Sequence, residues 1–332
     1  MGRFTGHERF REILRAAGVS LCIALATLAA LEILLRLANF RTLREGVSER
    51  SLSYRYDAEL GWAPIPSSTS IVTNVRTIHV QHNSLGLRDI EFSLDSQPTI
   101  MFLGDSFVWG LDAEANERFT DLLRPRISSH KIVAAGVSGY GTDQEYLLLT
   151  RLWPKVQPAV VVLMFCTQND RLDNGTNIRY EHYQKPYFVI AADGSLVLEG
   201  VPVPESPLQY IKEDWLTQHL WLARLAVSAY VSVRHPLLYV PDPTERLVSK
   251  VREFVEANGA KFLVGLQYND PALIRHLQAS RIPFVSFDGA EFFPGPGAGA
   301  HWTPDGHKLV AERVLGLLSE NGIVQAGPRA AE

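Results

Sequence analysis

Ser106 stands in Gly104-Asp105-Ser106, directly after the apolar run Ile100–Leu103. Such a run reads as a buried strand, and a serine just past its end lies where parallel α/β sheets open their ligand crevice. A serine hydroxyl is a weak nucleophile there unless a base takes its proton and donors receive the oxyanion. Three other stretches carry groups of that kind: the glycine-rich Gly136-Val137-Ser138-Gly139-Tyr140-Gly141, then Thr167-Gln168-Asn169-Asp170, and His301-Trp302-Thr303-Pro304. Taken alone, Gly-Asp-Ser is also an ordinary strand-ending turn. The chemistry therefore depends on whether the chain brings the four stretches together.

The elements needed to do so are visible in the pattern. From Thr99 the chain alternates strands and helices. Strands are expected at Thr99–Leu103, Lys131–Ala135, Ala159–Phe165, Lys261–Gly265 and Phe284–Phe287. Ala159–Phe165 is apolar throughout, as in a sheet covered on both faces. Helices are expected at Arg118–Leu123, at Tyr146–Trp153 ending before Pro154, and at Pro243–Asn258, Ala272–Ala279 and Pro304–Leu318. Thr303 suits the N-cap of the last, with Pro304 at its first position. Thr142 and Glu145 have capping-box spacing. Asp173–Pro241 interrupts the alternation with a hairpin, Tyr187–Ile190 and Ser195–Leu198, and a helix over Leu216–Val233. On this reading each of the four stretches follows the C-terminal end of a strand, the convergence an acyl-transfer site needs.

These blocks, in this order, resemble the SGNH/GDSL hydrolase superfamily. Gly-Asp-Ser matches its first block, the glycine loop its second, Gln168-Asn169-Asp170 its G-x-N-D third, and His301–His307 (HWTPDGH) its last. The lead-in stretches GWAPIP and NSLGLRD, with GVSGYGTDQ, resemble a bacterial branch that carries an N-terminal membrane segment. The resemblance implies an α/β fold, a three-layer α/β/α sandwich with a mainly parallel, flavodoxin-like sheet. It implies Ser106 as nucleophile and His301 as general base. It also implies an oxyanion hole from the backbone N–H of Ser106, the backbone N–H of Gly139 and the side-chain amide of Asn169. The family's acid stands three residues before its histidine, where this chain has Ala298. Asp305 and Asp288 are then the candidate orienting acids, and a Ser–His dyad the alternative. Thr167 stands where the family usually has glycine, a change of loop shape more than of chemistry. His307 reads as structural, Asp105 and Asp170 as acceptors of backbone N–H groups, Asp143 as a first-turn helix residue, and Arg88 with Asp89 as an exposed ion pair.

The implied activity is hydrolysis of a small acyl ester or O-acylated glycan, with no metal or organic cofactor. An O-acyltransferase acting on an envelope polysaccharide would use the same residues. A catalytically weak or inactive glycan-binding scaffold on the same fold is the reading without chemistry. A phosphate-binding role is disfavoured, because the glycine loop lacks a lysine and the G-x-G-x-x-G order.

Composition sets the remaining bounds. A formal charge of −4 leaves no basic footprint for nucleic acid. Cys22 and Cys166 lie in unrelated surroundings, so no disulfide is expected. Ala16–Leu35 holds one charge, Glu32, in twenty residues, long enough to cross about 30 Å of hydrocarbon. It reads as an uncleaved anchor, with a cleaved signal peptide second and a buried helix of a soluble protein third. Arginines flank it on both sides, so charge hardly sets orientation. A short tail before a large domain favours the N-terminus inside and the domain in the periplasm of a bacterial inner membrane. The expected organisation is a tail over 1–15, a transmembrane helix over 16–37 and a lead-in over 38–98. A hydrolase-like domain follows over 99–325, with an insertion at about 173–241, and then a frayed tail over 326–332.

Overall fold

The computed structural model describes residues 6–40, 43, 53–180, 183–294 and 300–325. The tail over 326–332 and the stretch 295–299, which includes Ala298, lie outside the described residues. The chain forms two compact units, Met1–Val47 with Pro207–Pro236, and Ser48–Ser206 with Leu237–Glu332.

In the first unit, helix α1 (Gly6–Ala38) contains the whole apolar run. It is long and apolar enough to cross a membrane.

The larger unit opens with two antiparallel hairpins, β1 (Tyr54–Asp57) with β2 (Gly61–Pro64) and β3 (Thr69–Thr73) with β4 (Thr77–Gln81). The alternating layer follows: β5 (Thr99–Gly104), the one-turn helix α2 (Ser106–Trp109), α3 (Phe119–Leu123), β6 (Lys131–Gly136), α4 (Thr142–Val156), β7 (Val160–Phe165) and α5 (Asp170–Asn174). Four short strands come next: β8 (Ile178–Arg179), β9 (Tyr183–Gln184), and the hairpin of β10 (Tyr187–Ile190) with β11 (Leu196–Glu199). The chain then enters the first unit as α6 (Pro207–Glu213), α7 (Trp215–His219) and α8 (Trp221–Arg234). It returns through α9 (Thr244–Ala257), β12 (Lys261–Leu266), α10 (Pro271–Ala279), β13 (Phe284–Ser286) and α11 (Pro304–Glu320).

Five strands form one parallel sheet in the order β13-β12-β7-β5-β6. Numbered within the sheet this is 2-1-3-4-5, the flavodoxin-like order, whose ligand crevice opens beside the first strand where the winding reverses. That strand is β5, and Ser106 follows it. Both faces are covered. Met101, Leu103, Val133, Val161 and Leu163 pack on one side with Leu152 of α4 and Val248 and Val251 of α9. Ile100, Phe102, Ile132, Val160 and Val162 pack on the other with Phe119 of α3 and Val310 and Val314 of α11. Alternate residues of each strand thus serve opposite layers, as the pleat dictates. A smaller cluster joins Val72, Ile78 and Val80 of the second hairpin to Trp109 and Leu111, just behind the Ser106 helix.

Several local expectations are corrected. Pro154 lies inside α4, which continues to Val156; a proline so near the end costs one hydrogen bond in a turn about to stop. Gly141, not Thr142, is the N-cap of α4, with no side-chain cap, because Glu145 turns inward and is fully buried. The helix expected over Leu216–Val233 is broken by the extended backbone of Leu220. Arg88 and Asp89 do not pair with each other on the surface. Arg88 is buried and donates to the carbonyls of Trp109, Gly110 and Ala113, and Asp89 pairs with Arg124. Thr303 does cap α11, accepting from the Gly306 N–H.

Candidate active site

The backbone brings the Ser106 helix in close. Asp105 caps it by accepting from the Phe107 N–H at 2.9 Å. The helix seats on the end of β6 at Gly136, where a Cβ would lie 2.3 Å from the Trp109 nitrogen. Only glycine allows that approach. Ser106 opens the helix, so its N–H has no carbonyl of that helix to meet.

His301 comes from the stretch before α11. Its Nε2 lies 2.8 Å from Ser106 Oγ, a full hydrogen bond between two buried side chains. The imidazole lies against Phe107, ring centroids 4.8 Å apart, and Phe107 in turn meets Trp302 edge-on at 4.7 Å. These contacts limit how far the ring can swing.

The carboxylate that faces the other imidazole nitrogen is Asp112, Oδ2 lying 3.7 Å from His301 Nδ1. Neither expected acid is there. Asp305 is exposed and pairs with Lys308 at 2.7 Å, a one-turn helix contact that aims it along its own surface. Asp288 accepts from the side-chain amide of Asn269. Asp112 is fully buried, and three donors from the β3–β4 turn hold it: Asn74 Nδ2 at 2.7 Å, Val75 N at 2.9 Å and Arg76 N at 3.0 Å. Its backbone has φ of +66°, a conformation aspartate tolerates better than most residues. A search by spacing before His301 does not reach it. The signal that could have is an acidic residue six positions after Ser106, in the loop leaving the same strand.

Asn169 precedes α5. Its Oδ1 accepts from the Cys166 thiol at 2.7 Å and its Nδ2 donates to Asp173 at 2.7 Å. These partners fix which way the amide points. The second Nδ2 hydrogen has only a 3.5 Å contact, to Asp170. Gly139 has φ of +86°, and a Cβ there would lie 2.6 Å from the Tyr180 ring.

Beneath these groups lies a cluster of acids whose extent the pattern did not announce. Asp143 forms a fully buried ion pair with Lys185, and Asp173 pairs with Arg179 at 2.9 Å. Asp105, Glu145 and Asp170 are fully buried, and burial raises the carboxyl pKa of each. Asp173 is pushed up to about 6 by burial, against the opposing pull of Arg179. Asp105, Cys166 and Asp170 bring ligand-type atoms within 4.8 Å of one another. That donor set fits a metal poorly, because burial and the neighbouring carboxylates hold the thiol well above its ordinary range, and Asp170 already accepts from Cys166 N. His307 is structural: it is buried, accepts from Phe119 N at 3.3 Å, and is held down to about 3 chiefly by burial.

Four blocks in the family's order thus stand on one edge of a 2-1-3-4-5 sheet. The strand order is that of a flavodoxin-like sheet, the fold expected from those blocks. Among solved structures the chain is similar to TesA, with 17% identity, 67% of this chain and 98% of that one covered, and a TM-score of 0.37. It is similar to a GDSL-like lipase from Bacteroides thetaiotaomicron, with 12% identity, coverage of 69% and 91%, and a TM-score of 0.39. An acetylxylan esterase from Geobacillus stearothermophilus is a third, with 13% identity, coverage of 68% and 96%, and a TM-score of 0.35. No family model and no curated protein matches.

Proposed function

We propose that this protein is a serine ester hydrolase held at the bacterial cell envelope by α1. The observation that carries the reading is the 2.8 Å contact between His301 Nε2 and Ser106 Oγ at the sheet's switch point. Ser106 Oγ attacks the ester carbonyl while His301 takes its proton. The same imidazole then protonates the departing alkoxide, leaving an acyl-enzyme. Water, activated by His301, releases the acid. The oxyanion is received by the N–H groups of Ser106 and Gly139 and by the Asn169 amide, donors that gain most when charge develops on the oxygen.

Asp112 is the orienting acid of this reading. At 3.7 Å its contact with Nδ1 is an ion pair in waiting more than a hydrogen bond. It strengthens when the imidazole takes the proton, so it favours the transition state over the ground state. The substrate class implied by the family resemblance is a small acyl ester, with O-acetylated glycans foremost.

Retention of α1 is supported by its own contacts. Glu32 accepts from the N–H groups of Trp221 and Leu222, and Arg36 donates to the His219 carbonyl. A cleaved signal would strip these partners away. Covalent capture by a fluorophosphonate probe, together with hydrolysis of p-nitrophenyl acetate, tests the chemistry. Wild-type protein is expected to react in both assays and Ser106→Ala in neither. A folded wild type that ignores the probe overturns the reading. Protease protection in spheroplasts tests the envelope placement, and a fully shielded larger unit would refute it.

A further inference from the structure

The smaller unit contains more than an anchor. Among the described residues, α1 is exposed throughout except at Glu32 and Leu35, which are partly covered. Glu32 is the only charge in the apolar run, and its two carboxylate oxygens accept from the first two N–H groups of α8, at 3.0 Å from Trp221 and 2.9 Å from Leu222. It therefore serves as the N-terminal cap of a helix about 190 residues away in sequence, where the dipole favours a negative charge. Arg36 donates to the same carboxylate at 2.7 Å, donates to His219 O at 2.6 Å, and lies over the Trp221 ring.

The segment fastened there is unlike a surface insertion of a water-soluble domain. Residues 215–234 contain no acidic side chain; the charges are Arg224 and Arg234. Their apolar groups face outward: Val233 is 82% exposed, Trp215 64% and Tyr230 58%, with Leu216 and Leu225 also exposed. At 14 residues, α8 is about 21 Å long, too short to span a bilayer. An outward face of aliphatic side chains, Trp and Tyr, with arginines and no acids, is the pattern of a helix lying in the lipid interface.

We propose that α7 and α8 form a second, non-spanning membrane contact, seated at the boundary of headgroups and acyl chains beside α1, with Glu32 as the cap that fastens them. The occupant is lipid because the segment is fastened directly to the anchor helix through Glu32 and Arg36, and because its positive-only charge suits anionic headgroups. The larger unit would then join the membrane-bound unit at three chain crossings, after Val47, after Ser206 and after Pro236, instead of one. The proposal rests on the reading of α1 as a membrane span.

Nitroxide accessibility on the full chain in vesicles of phosphatidylethanolamine and phosphatidylglycerol tests it. Native Cys22, exposed on α1, reports the anchor, and Cys166 is buried. Leu225→Cys and Val233→Cys in a Cys22→Ser background report α8, and Lys155→Cys reports the aqueous surface. The α8 labels are expected to collide severalfold more with oxygen, relative to a nickel chelate, than the Lys155→Cys label does. Nickel access equal to that control, with Cys22 still lipid-buried, overturns the interfacial helix and leaves the anchor standing. Shielding of the α8 labels from both reagents means that protein, not lipid, covers the face, and also overturns it. An aqueous Cys22 label sinks the anchor reading and this proposal together.

Discussion

Replacement of Asp112 by Asn is the sharpest test of the proposed triad. The substitution keeps the size of a fully buried side chain and removes its charge. At the 3.7 Å separation from His301 Nδ1, unit charges attract by about 4 kcal/mol at an effective dielectric of about 20. Three N–H donors already share the carboxylate, so about half of that is a reasonable floor. An interaction of about 2 to 4 kcal/mol felt only by the protonated imidazole corresponds to a loss of about 30- to 1,000-fold in kcat. KM should hardly change, because the ground state contains neutral imidazole. The assay is steady-state hydrolysis of p-nitrophenyl acetate, paired with the rate of fluorophosphonate capture, since both need His301 as base. With its oxygen kept toward the Val75 and Arg76 N–H groups, the new amide sets its NH2 against the Asn74 Nδ2 donor and His301 Nδ1, so folding must be monitored by thermal melting. Asn74→Ala supplies the control. It removes one tether of the same turn but leaves the charge, and kcat should stay within about fivefold of wild type. If Asp112→Asn folds and keeps wild-type kcat, the acid assignment is wrong and His301 is oriented by another group. If both variants lose activity equally, the turn matters and the charge does not.

The expected acids give the complementary result: Asp305→Asn and Asp288→Asn should each leave kcat within about twofold of wild type, measured in the same assay. Asn169→Ala should cost about 100- to 1,000-fold in kcat with near-normal substrate binding, as loss of one oxyanion donor does; an unchanged kcat would remove Asn169 from the hole. Gly139→Ala places a methyl 2.6 Å from the Tyr180 ring at φ of +86°, so both the melting temperature and kcat should fall, and an unperturbed variant would show that this loop is not held as described. Burial, then Asp105, Asp143 and Asp173, raise the Glu145 pKa well above the ordinary value. The native state therefore holds that proton more tightly than the unfolded chain, and stability is fully present below the ordinary glutamate pKa and lost as pH rises toward the folded one. Glu145→Gln should gain over wild type in melting temperature as pH rises from about 5 to 8, and a pH-independent difference would refute the sign.

What could be read from the chain in advance is what local pattern encodes. The runs of β5, β6 and β7 announce strands buried on both faces, and the blocks carrying Ser106, Asn169 and His301 follow strand ends, so placing the strands places the blocks. Partner choice among buried charges is not encoded that way. The Thr142–Glu145 spacing satisfies a capping pattern, yet Glu145 turns into a cluster created by Asp105 and Asp170 from two other strand ends. The Arg88–Asp89 pair looks like surface decoration because adjacent opposite charges usually are. Arg88 is instead drawn inside by the carbonyls of the turn that Gly110 makes with φ of +79°.

Those carbonyls change what counts as the site. Arg88 holds the backbone of Trp109, Gly110 and Ala113, on both sides of Asp112. The β3–β4 turn holds the Asp112 carboxylate itself. Val72, Ile78 and Val80 pack against Trp109 and Leu111 from behind. Arg88, the β3–β4 turn and the residues Val72, Ile78 and Val80 all belong to the lead-in before β5, a stretch with no chemistry-bearing block of its own. A histidine whose acid comes from the segment before it in the chain can lose that acid without losing the triad geometry, provided another buried carboxylate is anchored in reach. Here a hairpin and a buried arginine do the anchoring. If Asp112 is the orienting acid, as proposed, the lead-in belongs to the catalytic apparatus, and its contribution is positional: it keeps one carboxylate dry and aimed.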